Sequence, residues 1–417
     1  MNLIVKLACF LVPLVFMSCA KSKDKTVIIW TNNTEIVSYV ELFNATHDKT
    51  KAVVVYKKEP ARSLPPSKDE ITPDIIIGPW LKNSLTKKYF SSTESLFSEK
   101  SVPKSQFYSK ILEYGCINNK QYLIPVSFNL SAIMFSRKNE SLLGNERYLG
   151  IEQIRNTASS YNQKNSKDVF TTMGFGPSWD KEFLYTVTKL YGTAYQEKGT
   201  SFLWDSSRLS SSIDMIKYWT STTNSDTTTE QNFQFRYLYM PTYRQVTSDR
   251  CLFAYTTSDK LFTLTDAQSS SISFRWFVQN DMISVEDNIL TMGLYKASEN
   301  SAQAKEFMRW FLKEETQQKL IERTENMKLD SVNFGIAGGF SSIRNVNEKY
   351  YPAFYRQLLG NMPPEEYFTL PNILPYRWES LKENVILPYL EDMTNTNGAK
   401  NNASLEERIT EWTKQFY

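Results

Sequence analysis

Histidine, the side chain that most often acts as a general base near neutral pH, occurs once in this chain, as His47. It lies beside Asp48 in a polar stretch, where we expect a solvated side chain. A Ser-His-Asp triad or a multi-histidine metal site therefore has a single candidate imidazole. After residue 19 the chain contains no GxGxxG, Walker A, HExxH or CxxC pattern. These observations predict a protein that is not an enzyme and that holds no metal ion and no cofactor.

Aromatic side chains are in surplus, because nine Trp, 24 Tyr and 25 Phe make up 14% of the chain. Such side chains fill hydrophobic cores by default, but their flat faces also stack on sugar rings and other small ligands. Charge indicates no nucleic-acid partner, because 48 basic side chains nearly balance 45 acidic ones. Aromatic residues at strand ends are therefore candidates for a small-molecule site.

The N-terminus has the pattern of an export signal with a lipid acceptor. Lys6 precedes an apolar run at residues 7–16, and the segment ends on Phe-Met-Ser before Cys19, which resembles a bacterial lipoprotein signal. The run is shorter than the roughly 20 apolar residues that a membrane-spanning helix needs. We expect residues 1–18 to be a cleaved signal peptide, Cys19 to carry acyl chains such as palmitate, and residues 19–25 to form a tether. An ordinary signal peptide with an incidental cysteine is the alternative.

Length predicts two lobes, because a mature chain of about 400 residues exceeds what one hydrophobic core supports. Its remaining cysteines, Cys116 and Cys251, lie far apart in sequence. An exported location permits a disulfide, but two cysteines are too few for a disulfide scaffold. We expect two buried free thiols.

The first hundred residues alternate strand and helix patterns. Two β-rich runs, residues 26–30 and 52–56, flank an amphipathic helical pattern at residues 36–43, and a third run follows at residues 74–77. This order predicts a parallel α/β sheet, in which ligands bind beyond the carboxyl ends of the strands.

Further strands are expected at residues 122–136, 272–278 and 289–295, and a mostly helical stretch at residues 141–271. An apolar stripe at residues 304–312 predicts a strong helix capped by Asn300 or Ser301. A glycine-rich turn at residues 335–340 precedes a mainly helical tail.

Four patches, in this order, resemble the extracellular solute-binding proteins of ABC importers, the family that includes maltose-binding protein. The opening strand, helix and strand begin with TVIIWT at residues 26–31, and PDIII at residues 73–77 is similar to the family's Pro-Asp strand. KQYLIP through FSRK, residues 120–138, resembles the segment written G-K-x-Y-G-x-P and ending in Y-N-K-D. Residues 297–320 resemble its S-K-N-x-x-A-x-x-F-x-x-x-L helix.

The resemblance implies an α/β, two-lobe periplasmic-binding-protein fold with a hinged interlobe cleft. It places residues 26–128 and 280–335 in an N-terminal lobe, and residues 129–279 and 336–417 in a C-terminal lobe. Ligand binding would close the cleft, and ABC permease subunits would recognise the closed form. It also implies an exported monomer at the periplasmic or extracellular face of a membrane.

Five candidate ligand-binding residues belong to the N-terminal lobe or the first hinge crossing. Asn32 and Glu35 follow the first strand and could hydrogen-bond a ligand, with helix capping by Asn32 as the alternative. Trp80 follows the third strand, where sugar-binding family members offer an aromatic ring, and surface packing is the alternative. Ser127 and Asn129 either contact ligand at the first crossing or only pack the hinge.

Four more candidates belong to the other lobe. Trp179 resembles the aromatic loop of maltose-type binders, or it staples the helix that follows. Tyr255 lies in a stretch similar to the family's G-x-x-A-M strand, and Arg275 either binds a carboxylate or phosphate or forms a surface salt bridge. Trp378 aligns by resemblance with an aromatic that stacks on sugar, with helix packing as the alternative.

Together these expectations predict a membrane-anchored solute-binding lipoprotein that captures a carbohydrate and delivers it to an ABC importer. One rival is a surface interaction lipoprotein, such as an adhesin, which would combine an apolar or occluded cleft with a large exposed aromatic patch. The other is an exported hydrolase, which would need two carboxylates about 5 to 10 Å apart in the cleft.

Overall fold

The computed structural model describes residues 25–98, 102–327 and 333–416. The predicted signal peptide, the lipid acceptor Cys19 and residues 20–24 of the tether lie outside the described residues.

Strands contribute two main sheets and several short ribbons. In chain order they are β1 (Lys25–Thr31), β2 (Thr50–Tyr56), β3 (Ile75–Gly78), β4 (Cys116–Ile117), β5 (Lys120–Gln121), β6 (Leu123–Phe128), β7 (Ser131–Ser136), β8 (Tyr148–Gly150), β9 (Gln163–Lys164), β10 (Phe170–Thr172), β11 (Gln196–Lys198), β12 (Ser201–Leu203), β13 (Phe253–Thr257), β14 (Ile272–Gln279), β15 (Met282–Ser284), β16 (Leu290–Leu294), β17 (Phe340–Ser341) and β18 (Phe368–Thr369).

Helices pack on these sheets. They are α1 (Glu35–Thr46), α2 (Ser109–Tyr114), α3 (Ile151–Tyr161), α4 (Lys181–Leu190), α5 (Ser206–Thr223), α6 (Thr227–Phe235), α7 (Thr242–Thr247), α8 (Ser258–Leu261), α9 (Asp266–Ser269), α10 (Ser301–Phe311), α11 (Glu314–Met327), α12 (Tyr351–Phe354), α13 (Trp378–Leu381), α14 (Leu387–Thr394) and α15 (Leu405–Thr413).

The first sheet has the strand order β17-β6-β16-β3-β1-β2. Strand β1 pairs in parallel with both β2 and β3, which confirms the predicted parallel α/β unit. Strand β16 pairs antiparallel with β3 and β6. All four residues of β3 are buried, as expected for a central strand covered on both faces.

The second sheet has the order β13-β7-β14-β15-β18, with β8 paired to β14. The chain passes between the sheets three times among the described residues: from β6 to β7, from β15 to β16, and around β17. Phe340 of β17 joins the two cores, because its ring lies 5.8 Å from Phe128 of the first sheet and 6.0 Å from Trp276 of the second. The two-lobe α/β architecture is therefore present.

Two short strands lie in the other sheet from the lobe expected for them. Strand β15 belongs to the second sheet although residues 280–335 were expected in the N-terminal lobe. Strand β17 pairs with β6 of the first sheet although residues 336–417 were expected in the C-terminal lobe. Each strand lies within six residues of a predicted boundary between the lobes. The segments that cross between the lobes add these short strands to the sheets.

The thiol prediction is half right, because Cys251 is a buried free thiol and Cys116 is a free thiol that is only half-buried. His47 is not simply solvated: its ring stacks on Phe43 with centroids 4.1 Å apart. Within the described ranges, no helix is long and apolar enough to cross a membrane, and no group of three acidic, Cys or His side chains could hold a metal ion.

Candidate functional site

Two adjoining cavities lie between the sheets. The cavity that borders the turn at Ala337 and Gly338, here called the inner cavity, has a volume of about 250 Å³, and the adjoining one, here called the outer cavity, about 420 Å³. The inner cavity is lined by Asn32, Asn33, Pro79, Trp80, Ser127, Asn129, Asp259, Asn288, Leu290, Ala337, Gly338 and Glu379. The outer cavity also includes Lys58, Glu59, Arg62, Arg377, Glu383 and Phe416. Because Asn32, Pro79, Trp80 and Glu379 line both cavities, the two form one cleft with walls from both lobes.

The first wall follows the ends of β1 and β3. Since these strands are parallel neighbours, their carboxyl ends bring Asn32 and Trp80 to the same edge of the sheet. Asn33, rather than Asn32, bonds to the first turn of helix α1: its Oδ1 accepts the Glu35 N–H at 3.0 Å. The capping alternative for Asn32 is therefore wrong, and this half-buried side chain lines the cleft.

Trp80 is held in an uncommon backbone conformation, with φ of 55°. The Asn83 amide donates to the Trp80 carbonyl at 2.8 Å and so supports the turn. The indole Nε1 of Trp80 is buried and has no hydrogen-bond partner among the described residues. A buried donor without an acceptor is costly, so this N–H marks a position where a ligand oxygen would be stabilised.

Ser127 and Asn129 line the inner cavity, but their polar atoms bind the chain at the third crossing. Asn129 Nδ2 donates to the Gly338 carbonyl at 2.9 Å, and its Oδ1 accepts from Ser258 Oγ at 2.6 Å. Ser127 Oγ donates to the Ala337 carbonyl at 3.3 Å. These two residues therefore form the floor of the cleft.

The floor turn at residues 335–339 has unusual backbone geometry. Gly338 has φ of 80°, and a Cβ at Gly339 would lie 2.8 Å from the Phe128 carbonyl oxygen. Both positions therefore require glycine. Tyr351 holds the turn from below, since its hydroxyl accepts from Ile336 N at 2.7 Å and donates to the Gly339 carbonyl at 2.8 Å.

Glu35 lies behind this floor and is not among the lining residues of either cavity. The Tyr39 hydroxyl accepts from Ala337 N at 2.9 Å and donates to Glu35 Oε2 at 2.8 Å. Burial raises the pKa of Glu35 to about 7. The structure thus places Glu35 as a support of the floor turn.

The wall from the second lobe is supplied by Asp259 and Glu379. Neither residue was predicted from the sequence. Asp259 follows β13 in the short helix α8, and its Oδ1 is buried without a partner among the described residues. Burial raises the pKa of Glu379, and the nearby Glu383 and Glu59 raise it further. The strand-end rule that selected Trp80 would also have selected Asp259. Nothing in the sequence distinguishes Glu379 from its neighbour Trp378.

Trp378 is a core residue, contrary to its predicted role as a stacking surface. Its side chain is 1% exposed, and its Nε1 donates to Asp287 Oδ2 at 2.8 Å. Asp287 also accepts from Tyr185 at 2.7 Å and from Lys189 at 2.7 Å. Burial opposes ionisation of Asp287, but Lys189 and Lys382 outweigh it and lower its pKa. In this arrangement Trp378 has no free face for a sugar.

Three other predicted site residues lie away from both cavities. Trp179 packs against α6, with its ring stacked 5.6 Å from Phe233 and its Nε1 donating to the Glu230 carbonyl at 2.9 Å, rather than against α4, the helix that it was expected to staple. Tyr255 is buried and shares a hydrogen bond of 2.8 Å with Thr186. Arg275 forms an ion pair of 3.4 Å with Glu140, as in its surface alternative.

Solved structures with the same architecture are numerous, although no protein-family model matches the chain and no curated protein matches its sequence. The maltose-binding periplasmic protein MalE from Listeria monocytogenes, in complex with maltose, aligns with a TM-score of 0.63 and 13% identity over 95% of this chain and 100% of that one. The chain has the fold of these binding proteins.

Two further structures support the same fold. An ABC substrate-binding protein from Listeria monocytogenes in complex with cycloalternan aligns with a TM-score of 0.60 and 13% identity, covering 94% of this chain and 99% of that one. A cyclic alpha-maltosyl-1,6-maltose binding protein from Arthrobacter globiformis aligns at 0.59 and 11% identity, covering 92% and 96%.

Replacing Trp378 with Phe should destabilise the protein, because Asp287 loses a donor and the smaller ring fills less of the buried site. We expect the free energy of unfolding to fall by about 1–3 kcal/mol, as measured by urea denaturation. Trp310→Phe, which changes a half-buried indole of the first lobe, serves as the control and should cost less. Equal losses would contradict the assigned role of the buried hydrogen bond.

Stability should fall as the pH rises from about 5 to about 8. Burial raises the pKa of Glu35 and of Glu286 to about 7, so the folded protein binds protons that the unfolded chain, with a glutamate pKa of about 4.3, has released. This stabilisation is complete below the unfolded pKa and disappears as the pH rises through the folded pKa. Each group contributes a slope of at most about 1.4 kcal/mol per pH unit.

Urea denaturation across this pH range measures the effect. The Glu35→Gln variant should retain only the part of the slope that comes from Glu286 and other groups. An identical slope in wild type and variant would show that Glu35 titrates normally.

Proposed function

We propose that this chain is a membrane-anchored solute-binding lipoprotein that captures a carbohydrate in the interlobe cleft and delivers it to an ABC importer. The observation that carries the proposal is the cleft itself, whose walls come from both lobes and combine the Trp80 ring with amides and carboxylates. Contacts to both lobes let a ligand favour closure, which is how binding would signal to permease subunits.

The lining suits a hydroxyl-rich ring. Asn32 and Asn288 offer amide donors and acceptors, while Asp259 and Glu379 offer carboxylate acceptors. Trp80 supplies an aromatic surface and an indole N–H without a partner in the described structure. The ligands bound in the structural neighbours, maltose and cycloalternan among them, support the same ligand class.

Four of the ligand-binding residues predicted from the sequence are retained, and two are added. Asn32, Trp80, Ser127 and Asn129 remain proposed ligand-binding residues, joined by Asp259 and Glu379. Except at strands β15 and β17, the predicted lobe boundaries remain part of the proposal. The monomeric state and the exported, lipid-anchored location at Cys19 remain part of it as well.

The surface-interaction alternative is favoured by one observation. Phe235, Leu238 and Tyr239, at and after the end of α6, are 73%, 59% and 95% exposed. That alternative also requires an apolar or occluded cleft, and the polar lining of this cleft argues against it.

Thermal unfolding of the full chain in mild detergent, measured against a panel of mono- and oligosaccharides, tests the proposed function. We expect one saccharide class to raise the unfolding temperature with increasing concentration. Trp80→Ala should weaken that saccharide's affinity by about tenfold or more, whereas Trp310→Phe should not. The saccharide should be recovered intact, since its cleavage would support the hydrolase instead.

Lipidation is tested separately by expressing the chain in bacteria with a palmitate analogue. We expect label on the wild-type protein and none on Cys19→Ser, with the unlabelled variant released from the membrane fraction. Cys116→Ser should retain the label. Label that persists in Cys19→Ser would overturn the proposed anchor.

A further inference from the structure

The inner cavity carries negative charge without a cation. Asp259 and Glu379 are its two charged lining residues, and the other polar side chains are four Asn amides, the Ser127 hydroxyl and the Trp80 indole. Positive side chains appear only in the outer cavity, at Lys58, Arg62 and Arg377. The charged side chains that line the cavity beside the floor turn are therefore both acidic.

Two largely buried lysines of the second lobe are paired with other carboxylates. Lys382 lies 2.6 Å from Glu182, and Lys189 lies 2.7 Å from Asp287. In the outer cavity, Arg62 lies 2.6 Å from Glu59. These pairs leave Asp259 and Glu379 without an ion-pair partner among the residues described. Burial and the carboxylates of Glu383 and Glu59 disfavour ionisation of Glu379, and they outweigh Lys382 and Lys58, which favour it.

Two polar atoms of this chamber are buried and unpartnered in the described structure, namely Trp80 Nε1 and Asp259 Oδ1. One is a donor and the other an acceptor. A buried polar atom without a partner costs free energy, and a buried carboxylate costs more than a neutral group. A ligand that supplies both an acceptor and a positively charged donor would relieve both costs.

We propose that the bound solute is an amino sugar, whose protonated amine lies between Asp259 and Glu379 while its ring stacks on Trp80. This inference rests on the proposed function of the cleft as a saccharide site. An ammonium group forms charge-assisted hydrogen bonds with carboxylates, which are about twice as strong as neutral ones, and is attracted to an indole face. A neutral sugar would offer hydroxyl donors but leave the carboxylate charge uncompensated.

The test compares saccharides that share a β-1,4 backbone and differ only at carbon 2. The glucosamine trimer carries an amine there, the N-acetylglucosamine trimer a neutral amide, and cellotriose a hydroxyl. Calorimetric titration of the full chain at about pH 6, where the amine is protonated, should give an affinity for the amine at least about tenfold higher than for either neutral trimer. Maltotriose, glucosamine and glucose extend the comparison to another linkage and to monosaccharides.

Variants that remove a carboxylate charge test whether Asp259 and Glu379 cause the preference for the amine. Asp259→Asn and Glu379→Gln should each lower the affinity for the amine about tenfold more than they lower the affinity for the neutral saccharides. Asp214→Asn, on the exposed face of α5, is the matched control and should preserve the preference. A variant that fails to fold is replaced by a salt titration of the wild type, in which the amine's affinity should fall with ionic strength more steeply than that of a neutral saccharide.

The outcomes separate the two claims. If neutral saccharides bind as tightly as their amine counterparts, or if the preference survives both charge variants, the amino-sugar inference is overturned and the proposed carbohydrate function stands. If no saccharide binds at all, the proposed function fails and the inference fails with it.

Discussion

The turn at residues 335–339 imposes the constraint on which the cleft depends, because its backbone polar groups are buried between the two sheets and must be hydrogen-bonded there. Tyr39 and Tyr351 accept its N–H groups from one side. The side chains of Asn33 and Asn129 donate to its carbonyls from the other. Residues from both sheets therefore converge on this turn, and their convergence sets the depth and position of the cavity.

The hydrogen bonds that the turn requires determine which side chains remain free to bind a ligand. Ser127, Asn33 and Asn129 face the cavity, but each uses at least one polar atom to hold the floor. Among the cavity residues, the unpartnered buried atoms belong instead to Trp80 and Asp259, which follow strands of different lobes. Recognition of a ligand by these two would require the lobes to be held together, which couples binding to lobe arrangement.

A second buried network positions the other wall. Asp287, next to the crossing from β15 to β16, accepts hydrogen bonds from Tyr185, Lys189 and Trp378. The bond to Trp378 draws the first residue of α13 into the core. Successive helical side chains point in different directions, so the following residue, Glu379, is free to line the cleft. An ion-paired core cluster thereby places a ligand-facing carboxylate.

The parallel start of the first sheet could be predicted from sequence because it depends on local patterns: two β-rich runs, one helical stripe and a third run ended by Gly78 and Pro79. The same reasoning located Asn32 and Trp80, since carboxyl ends of adjacent parallel strands must share an edge. Sequence alone also defined the limits of the chemistry, through a single histidine and the absence of catalytic motifs.

Tertiary structure decided which aromatic rings can contact a ligand in the cleft. Trp80, Trp179 and Trp378 look alike in sequence, each beside a turn or a helix start, but only Trp80 lines the cleft. Trp179 stacks on Phe233, and Trp378 is fixed by Asp287, a residue 91 positions away. Burial and hydrogen-bond partners at such separations are set by how the sheets pack together, and no local pattern encodes them. For the same reason, the presence of Asp259 and Glu379 in one cavity emerged only from the folded chain.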